Sequence, residues 1–164
     1  MLTCGDLRDG DLQALLQHFD LALIEVLGDV TIPGSYWGDP EAGIIGAKVF
    51  VRSDTPVHSA LHEACHLIVK PAHERTAIDT NASESIDEED ATCYLQIVLA
   101  DSLRDVGRDR LMADMDAWGY SFRLGSARAW FNTDADNARD WLTARGLLDT
   151  DGNPILPGNT RIPR

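Results

Sequence analysis

The sequence contains few cysteines and no long hydrophobic run. Its 164 residues include only 3 Cys, widely separated at positions 4, 65 and 93, which excludes a dense disulfide scaffold and favours a reducing compartment. The longest apolar runs, 21–24 and 97–100, are far too short to cross a bilayer. Asp6, Arg8 and Asp9 lie where a secretory signal needs apolar residues. We therefore expect a cytoplasmic protein that does not enter a membrane.

Positively charged residues are also scarce in this chain. Lys and Arg number 14 against 27 Asp and Glu, which gives a net charge of −13. Such a surface repels nucleic-acid phosphates and anionic lipids, and no basic patch interrupts it, so we expect neither as a partner. The length of 164 residues and the 44% hydrophobic content are typical of one globular domain. We expect this domain to span 1–148, with a loose Gly/Pro-rich tail over 149–164.

Hydrophobic periodicity predicts a mostly helical α+β protein with a small sheet. An amphipathic pattern predicts a helix over 9–27, and the β-branched segment 44–52 predicts the one clear strand. Because a single strand is not stable alone, we expect partners near 30–32 and within 71–80. Further helices are predicted over 56–69, 87–104, 111–118 and 134–145. The first of these follows the polar residues 53–55 and has Pro56 at its start.

The helix predicted over 56–69 carries an H-E-x-x-H motif, formed by His62, Glu63 and His66. Positions four apart share one face of a helix, so both imidazoles can reach one Zn²⁺. Glu63 projects beside them and can accept a proton from water activated by the metal. The flanking residues are apolar. Two histidines and a carboxylate on a buried helix indicate a functional role, because their desolvation is costly.

A catalytic zinc site needs a third protein ligand and an open position for water. The acidic run 87–90 opens the next predicted helix, whose inward stripe begins at Ala91. Glu88 lies one turn before that stripe and is ranked first as the third ligand. Glu89, which shares a face with Cys93 and Gln96, is ranked second. His73 is ranked third, because its spacing and neighbours do not fit H-E-x-x-H-x-x-G-x-x-H.

These motifs resemble those of the gluzincin group of zinc peptidases. The order of strand, capped H-E-x-x-H helix and a helix opening E-x-x-A, with Glu88 and Ala91, is similar to that of the ImmA/IrrE-type metallopeptidase domains over about residues 9–104. Two positions depart from that family's pattern: Thr92 stands where Asn is usual, and Cys65 where Gly is frequent. The resemblance implies a compact zincin-like fold, with zinc on His62, His66 and Glu88.

The leading hypothesis is a zinc-dependent hydrolase that acts on a peptide or protein, with Glu63 as general base. The alternative is a catalytically silent zinc-binding domain with a regulatory or protein-interaction role. A third interpretation, zinc that only holds the fold, requires a fourth protein ligand. For the oxyanion or the substrate, the contact candidates are Tyr94, His73 and Tyr120, and the sequence also leaves His58 and Arg123 open as oxyanion donors.

Overall fold

The computed structural model describes residues 1–82 and 85–158 and has helices arranged around a three-stranded sheet. In chain order, its α-helices and strands are α1 (Asp11–Gln17), β1 (Ala22–Glu25), β2 (Gly43–Ile45), β3 (Lys48–Val51), α2 (Val57–Ile68), α3 (Ile86–Leu99), α4 (Gly107–Trp118), α5 (Ala127–Thr133) and α6 (Asp136–Ala144). Short 3-10 helices occur at Cys4–Asp6, Ala72–Ala77 and Ala100–Ser102. The predicted class, α+β and mostly helical, is confirmed. Within the described residues, no helix is both long and apolar enough to cross a membrane.

Helix α2 lies at the centre of the fold, as its apolar sequence predicts. Ala60, Leu61 and Ala64 are fully buried, because β2 and β3 pack against one side of the helix and α3 against another. The helix begins at Val57, with Pro56 in the N-cap position. The polar residues before the helix do not cap it but stabilise the turn that leads into it, because the Thr55 hydroxyl accepts a hydrogen bond from the Arg52 amide at 2.9 Å. The prediction of a helix over 56–69 is thus confirmed to within a residue at each end.

The segment predicted as one strand over 44–52 is a hairpin. Strands β2 and β3 pair antiparallel, with Ile44 opposite Val49, and the chain reverses at Gly46, whose φ of +59° is the left-handed conformation that glycine adopts most readily. Of the partners expected for this strand, the 71–80 segment contributes a bridge from Asp79 to Ile45. Residues 30–32 form no strand. The hairpin instead acquires β1 as its third strand.

The helix predicted over 9–27 is wrong in its second half. Helix α1 ends at Gln17, and Asp20 has a φ of +59°, a left-handed conformation that no α-helix continues through. The following residues form β1, which pairs in parallel with β3, Leu23 facing Val49. The sheet order is therefore β1-β3-β2. Pairing with β3 satisfies the backbone of this segment, and local periodicity cannot register so distant a partner.

Helix α3 begins close to the predicted position. Ser85 is its N-cap, and its hydroxyl accepts a hydrogen bond from the Glu88 amide at 3.1 Å. The α-helix ends at Leu99 instead of 104, and a 3-10 turn follows. Helix α4 starts four residues before the expected 111, and α5 falls in an aromatic segment for which no helix was predicted. Helices α4 and α6 pack against α3, so α3 is the second central helix.

The described part of the C-terminal segment is a hydrogen-bonded turn. The Asp149 carboxylate accepts hydrogen bonds from the amides of Asp151 and Asn153, both at 2.9 Å, and Leu148 forms a β-bridge with Pro154. The rest of the tail expected to be loose, 159–164, lies outside the described residues.

Candidate metal centre

Three side chains from the two central helices converge on one point. His62 and His66 project from the same face of α2, and their Nε2 atoms are 3.1 Å apart. Glu89, in the first turn of α3, brings Oε1 to 3.1 Å from His62 Nε2 and Oε2 to 3.3 Å from His66 Nε2. The three residues thus form a cluster with the composition of a metal site.

The spacing of these atoms fits one small cation. In a tetrahedral zinc site with bonds of about 2.0–2.1 Å, neighbouring ligand atoms lie about 3.3 Å apart. The two histidine nitrogens here are 3.1 Å apart, and each lies 3.1–3.3 Å from one of the two Glu89 carboxylate oxygens. Within residues 1–82 and 85–158, no fourth His, Cys, Asp or Glu joins the group. Two imidazoles and one carboxylate are a donor set that occurs in catalytic zinc sites, whereas closed structural zinc sites have four protein ligands.

Gln96 fixes the tautomer of His62. Its amide nitrogen donates to the His58 carbonyl oxygen at 3.1 Å, so its Oε1 is the atom that faces His62 Nδ1 at 2.6 Å. That oxygen is an acceptor, and Nδ1 therefore carries the proton. The Nε2 atom of a neutral His62 ring is left with its lone pair directed at the Glu89 carboxylate. Two acceptors 3.1 Å apart repel each other unless a proton or a metal ion lies between them.

The cluster lies on the floor of a cleft of about 730 Å³, a volume within the range of about 300–1,000 Å³ that is typical of ligand sites. Glu63, also on the cleft wall, is only partly exposed. Burial, assisted by the neighbouring carboxylates of Glu41 and Glu89, raises the pKa of Glu63 to about 7. A carboxylate with a pKa near neutrality is suited to accept and return a proton.

Tyr120 lines the same cleft and lies close to the histidines. Its ring centroid is 5.7 Å from that of His62, and its hydroxyl is 3.1 Å from His58 Nδ1. Burial raises the pKa of Tyr120 to about 12, so the phenol keeps its proton at neutral pH. Burial also lowers the pKa of His58 to about 4, and this ring stays neutral. Of the predicted contact residues, Tyr120 is the one that the structure places in the cleft.

The loop over residues 33–42 contributes residues 36–41 to the lining of the cleft. Gly43 anchors its end, because a Cβ there would lie 1.9 Å from the Pro33 carbonyl oxygen, so only glycine permits this close approach. The Ala42 amide donates to the Ser59 hydroxyl of α2 at 2.9 Å. Arg52 holds the middle of the loop through an ion pair with Asp39 at 3.0 Å. The loop thereby presents the aromatic side chains of residues 36 and 37 at the mouth of the cleft.

Glu88, ranked first as third ligand, does not reach the histidines. Its Oε1 lies 2.9 Å from Lys70 Nζ, and the two side chains are 12% and 2% exposed. Glu88 is buried, as its position on the inward side of α3 predicts, but it faces the ammonium group of Lys70, just beyond the end of α2. The structure brings Glu89, the second choice, to the two histidines instead.

Two other candidates lie away from the cleft. The Tyr94 ring is buried against Phe131, with centroids 4.6 Å apart, which makes it a core residue between α3 and α5. The His73 side chain is 82% exposed, and its one ion pair within the described chain is with Glu74 at 3.8 Å. Neither residue lines the cleft around the cluster, and His73 does not join the ligand group.

The sequence assigned no role to Gln96 or Glu41, and it favoured a core position over a cleft position for the aromatic segment that begins at Trp118. Gln96 had a usable signal, because it is a polar residue in an apolar helix and lies two turns after Glu89 on the same face. Glu41 had none. It comes from a loop and meets Trp118, at the end of α4, only through the fold, where the Trp118 indole donates to Glu41 Oε1 at 2.7 Å.

No family model, no curated protein and no solved structure matches this chain.

Proposed function

We propose that the protein is a zinc-dependent hydrolase of the zincin type, most simply a peptidase. His62, His66 and Glu89 hold the metal, and Glu63 is the general base. The observation that carries the proposal is the convergence of the three donor groups at 3.1–3.3 Å in a cleft. Zinc in such a site supplies a Lewis acid, which makes water nucleophilic near neutral pH.

The residues around the cluster divide the remaining roles. Glu63 takes a proton from the attacking water as the C–O bond forms. It then delivers that proton to the amine nitrogen as the C–N bond breaks. Gln96 holds the His62 ring in the tautomer whose Nε2 lone pair faces the cluster. Tyr120 is the proposed hydrogen-bond donor to the oxygen that gains negative charge.

Zinc content measured on single variants tests the metal assignment. We expect the wild type to retain about one zinc per chain after dialysis and Glu89→Gln to lose it, because an amide is a poor zinc ligand. Asp87→Asn is the matched control. It removes a carboxylate from the same turn of α3, but Asp87 is exposed and does not line the cleft, so we expect it to retain zinc. A wild type without zinc contradicts the proposal, and retention of zinc by Glu89→Gln contradicts the choice of Glu89.

Activity tests the hydrolase assignment separately. A zinc-loaded wild type is expected to cleave members of a mixed peptide pool, to stop when a chelator removes the metal, and to recover when zinc is added back. Absence of cleavage from a fully zinc-loaded protein contradicts the peptidase proposal while leaving the metal site intact.

Replacing Gln96 should weaken zinc binding even though it is not a ligand. Loss of a hydrogen bond that orients a metal-bound histidine typically costs about 10–100-fold in affinity, and we expect this of Gln96→Met in competition with a chromophoric chelator. Gln96→Glu keeps an oxygen acceptor for His62 Nδ1, and we expect it to retain more affinity than Gln96→Met. Equal affinities for the wild type and Gln96→Met would show that the 2.6 Å contact has no such role.

A further inference from the structure

Four carboxylates line the cleft, and no Lys or Arg of the described residues does. Three of the four already have a partner or a role. Asp39 is paired with Arg52, Glu89 belongs to the histidine cluster, and Glu63 is the proposed base. Glu41 is the one whose negative charge has no cation to balance it among the ion pairs of the described chain. The cleft is therefore electronegative beyond what a bound metal ion accounts for.

The hydrogen bonding of Glu41 is only half complete. Its Oε1 accepts from the Trp118 indole at 2.7 Å, while its Oε2 is buried without a hydrogen-bond partner among the described residues. A buried carboxylate oxygen without a donor is costly, and a cationic donor removes that cost. Glu41 lines the same cleft as Glu63 and Tyr120, so it lies near the proposed reacting groups.

Aromatic side chains line the cleft together with this carboxylate. Trp37 is 77% exposed and Trp118 is 42% exposed, although large apolar side chains are usually buried. The Tyr36 ring supports Trp37 edge-on, with centroids 5.0 Å apart. A cleft lined by a carboxylate and by aromatic rings suits an ammonium or guanidinium group, because carboxylates and the faces of aromatic rings both attract a cation.

We propose that Glu41 is a specificity-determining residue that binds a cationic group of the substrate, an ammonium or a guanidinium, beside the bond to be cleaved. This inference rests on the proposed hydrolase function and adds the class of substrate. Two sources supply such a group: the free N-terminal amine of a peptide, and a Lys or Arg side chain within it. The two share the same chemistry at Glu41 and are separated by the choice of peptides.

The experiment uses zinc-loaded Glu63→Gln protein, which is expected to hold peptides without cleaving them. Three matched, C-terminally labelled peptides serve as probes: one with a free N-terminal amine and no Lys or Arg, one N-acetylated with a single Lys, and one N-acetylated with norleucine in its place. Fluorescence anisotropy measures their affinities. We expect at least one cationic peptide to bind about tenfold tighter than the neutral one, which is typical of a charged hydrogen bond. The peptide that shows the gain identifies the source.

The variant Glu41→Gln, combined with Glu63→Gln, tests the assignment to this residue. Its amide oxygen still accepts from Trp118, so only the charge is lost, and we expect the preference for the cation to disappear while the neutral peptide binds as before. Glu25→Gln removes the same charge from an exposed position of β1 outside the cleft and should leave the preference unchanged. The inference is overturned if no peptide binds, if no preference exists, if the preference survives Glu41→Gln, or if Glu25→Gln abolishes it equally. The zinc content of the same samples shows independently whether the proposed metal site binds zinc.

Discussion

Glu63→Gln is expected to lower kcat for peptide hydrolysis by about 10²–10⁴-fold, the usual contribution of a general base, without loss of zinc. Glu63 directly follows His62 in α2, and it lines the cleft. Burial raises the pKa of its carboxyl to about 7, so the wild type has a proton acceptor where the substitution leaves an amide that cannot take a proton. The amide has nearly the same shape, so packing in α2 should not change. Steady-state kinetics, with zinc content measured on each sample, give the comparison.

Asp87→Asn is the matched control for Glu63→Gln. It also converts a carboxylate near the cluster to an amide, but Asp87 is exposed at the start of α3 and does not line the cleft, so its kcat should equal that of the wild type. Full activity in Glu63→Gln contradicts the assignment of the base. If the zinc-loaded wild type and Glu63→Gln are equally inactive on every peptide, the alternative of a silent zinc-binding domain gains support.

Half of the candidate site was predictable because it is local. The spacing of His62 and His66 depends only on the pitch of a helix, and the apolar flanks of α2 are enough to predict that this helix is buried. Both of these residues and Glu63 lie on the cleft. The elements that close the cleft were not predictable in the same way, because contacts such as that of Trp118 with Glu41 join residues 77 positions apart.

The errors in the fold have two origins. The apolar spacing over 9–27 fits a helix, yet part of that segment pairs with β3 and becomes β1. There a distant pairing outweighs the local preference, which amounts to only a few tenths of a kcal/mol per residue. Segment 44–52 is rich in β-formers, but a turn at Gly46 divides it into two strands that pair with each other.

The choice between Glu88 and Glu89 shows where helix phase stops being informative. Both residues lie in the first turn of α3, and the apolar stripe places Glu88 on the inward side, where it is indeed buried. What phase does not reveal is the identity of the facing residue. Lys70, just beyond the end of α2, meets Glu88, and the neighbouring face of α3, with Glu89 and Gln96, meets the histidines. A buried acidic residue should therefore be checked for a neighbouring Lys or Arg before it is assigned as a metal ligand.

Lys70→Met is expected to lower the free energy of unfolding by about 3–5 kcal/mol, the usual result of removing one partner of a buried ion pair. The Lys70 and Glu88 side chains are 2% and 12% exposed, so the substitution leaves a carboxylate buried without its cation. Urea unfolding at neutral pH, with a chelator present so that zinc binding does not contribute, measures the change. Arg8→Met, which breaks the exposed ion pair with Asp105, should have a much smaller effect because exposed pairs contribute little.

The double variant Lys70→Met/Glu88→Leu separates loss of the pair from loss of packing. If the cost of the single variant comes from the unpaired carboxylate, replacing that carboxylate with an apolar side chain should recover most of the stability. The pair also joins the end of α2 to the first turn of α3, where Glu89 faces the two histidines. A stable double variant with weakened zinc binding would show that the ion pair sets the register of the ligands. A double variant as unstable as Lys70→Met would show instead that the aliphatic stem of Lys70, and not its charge, is what the fold requires.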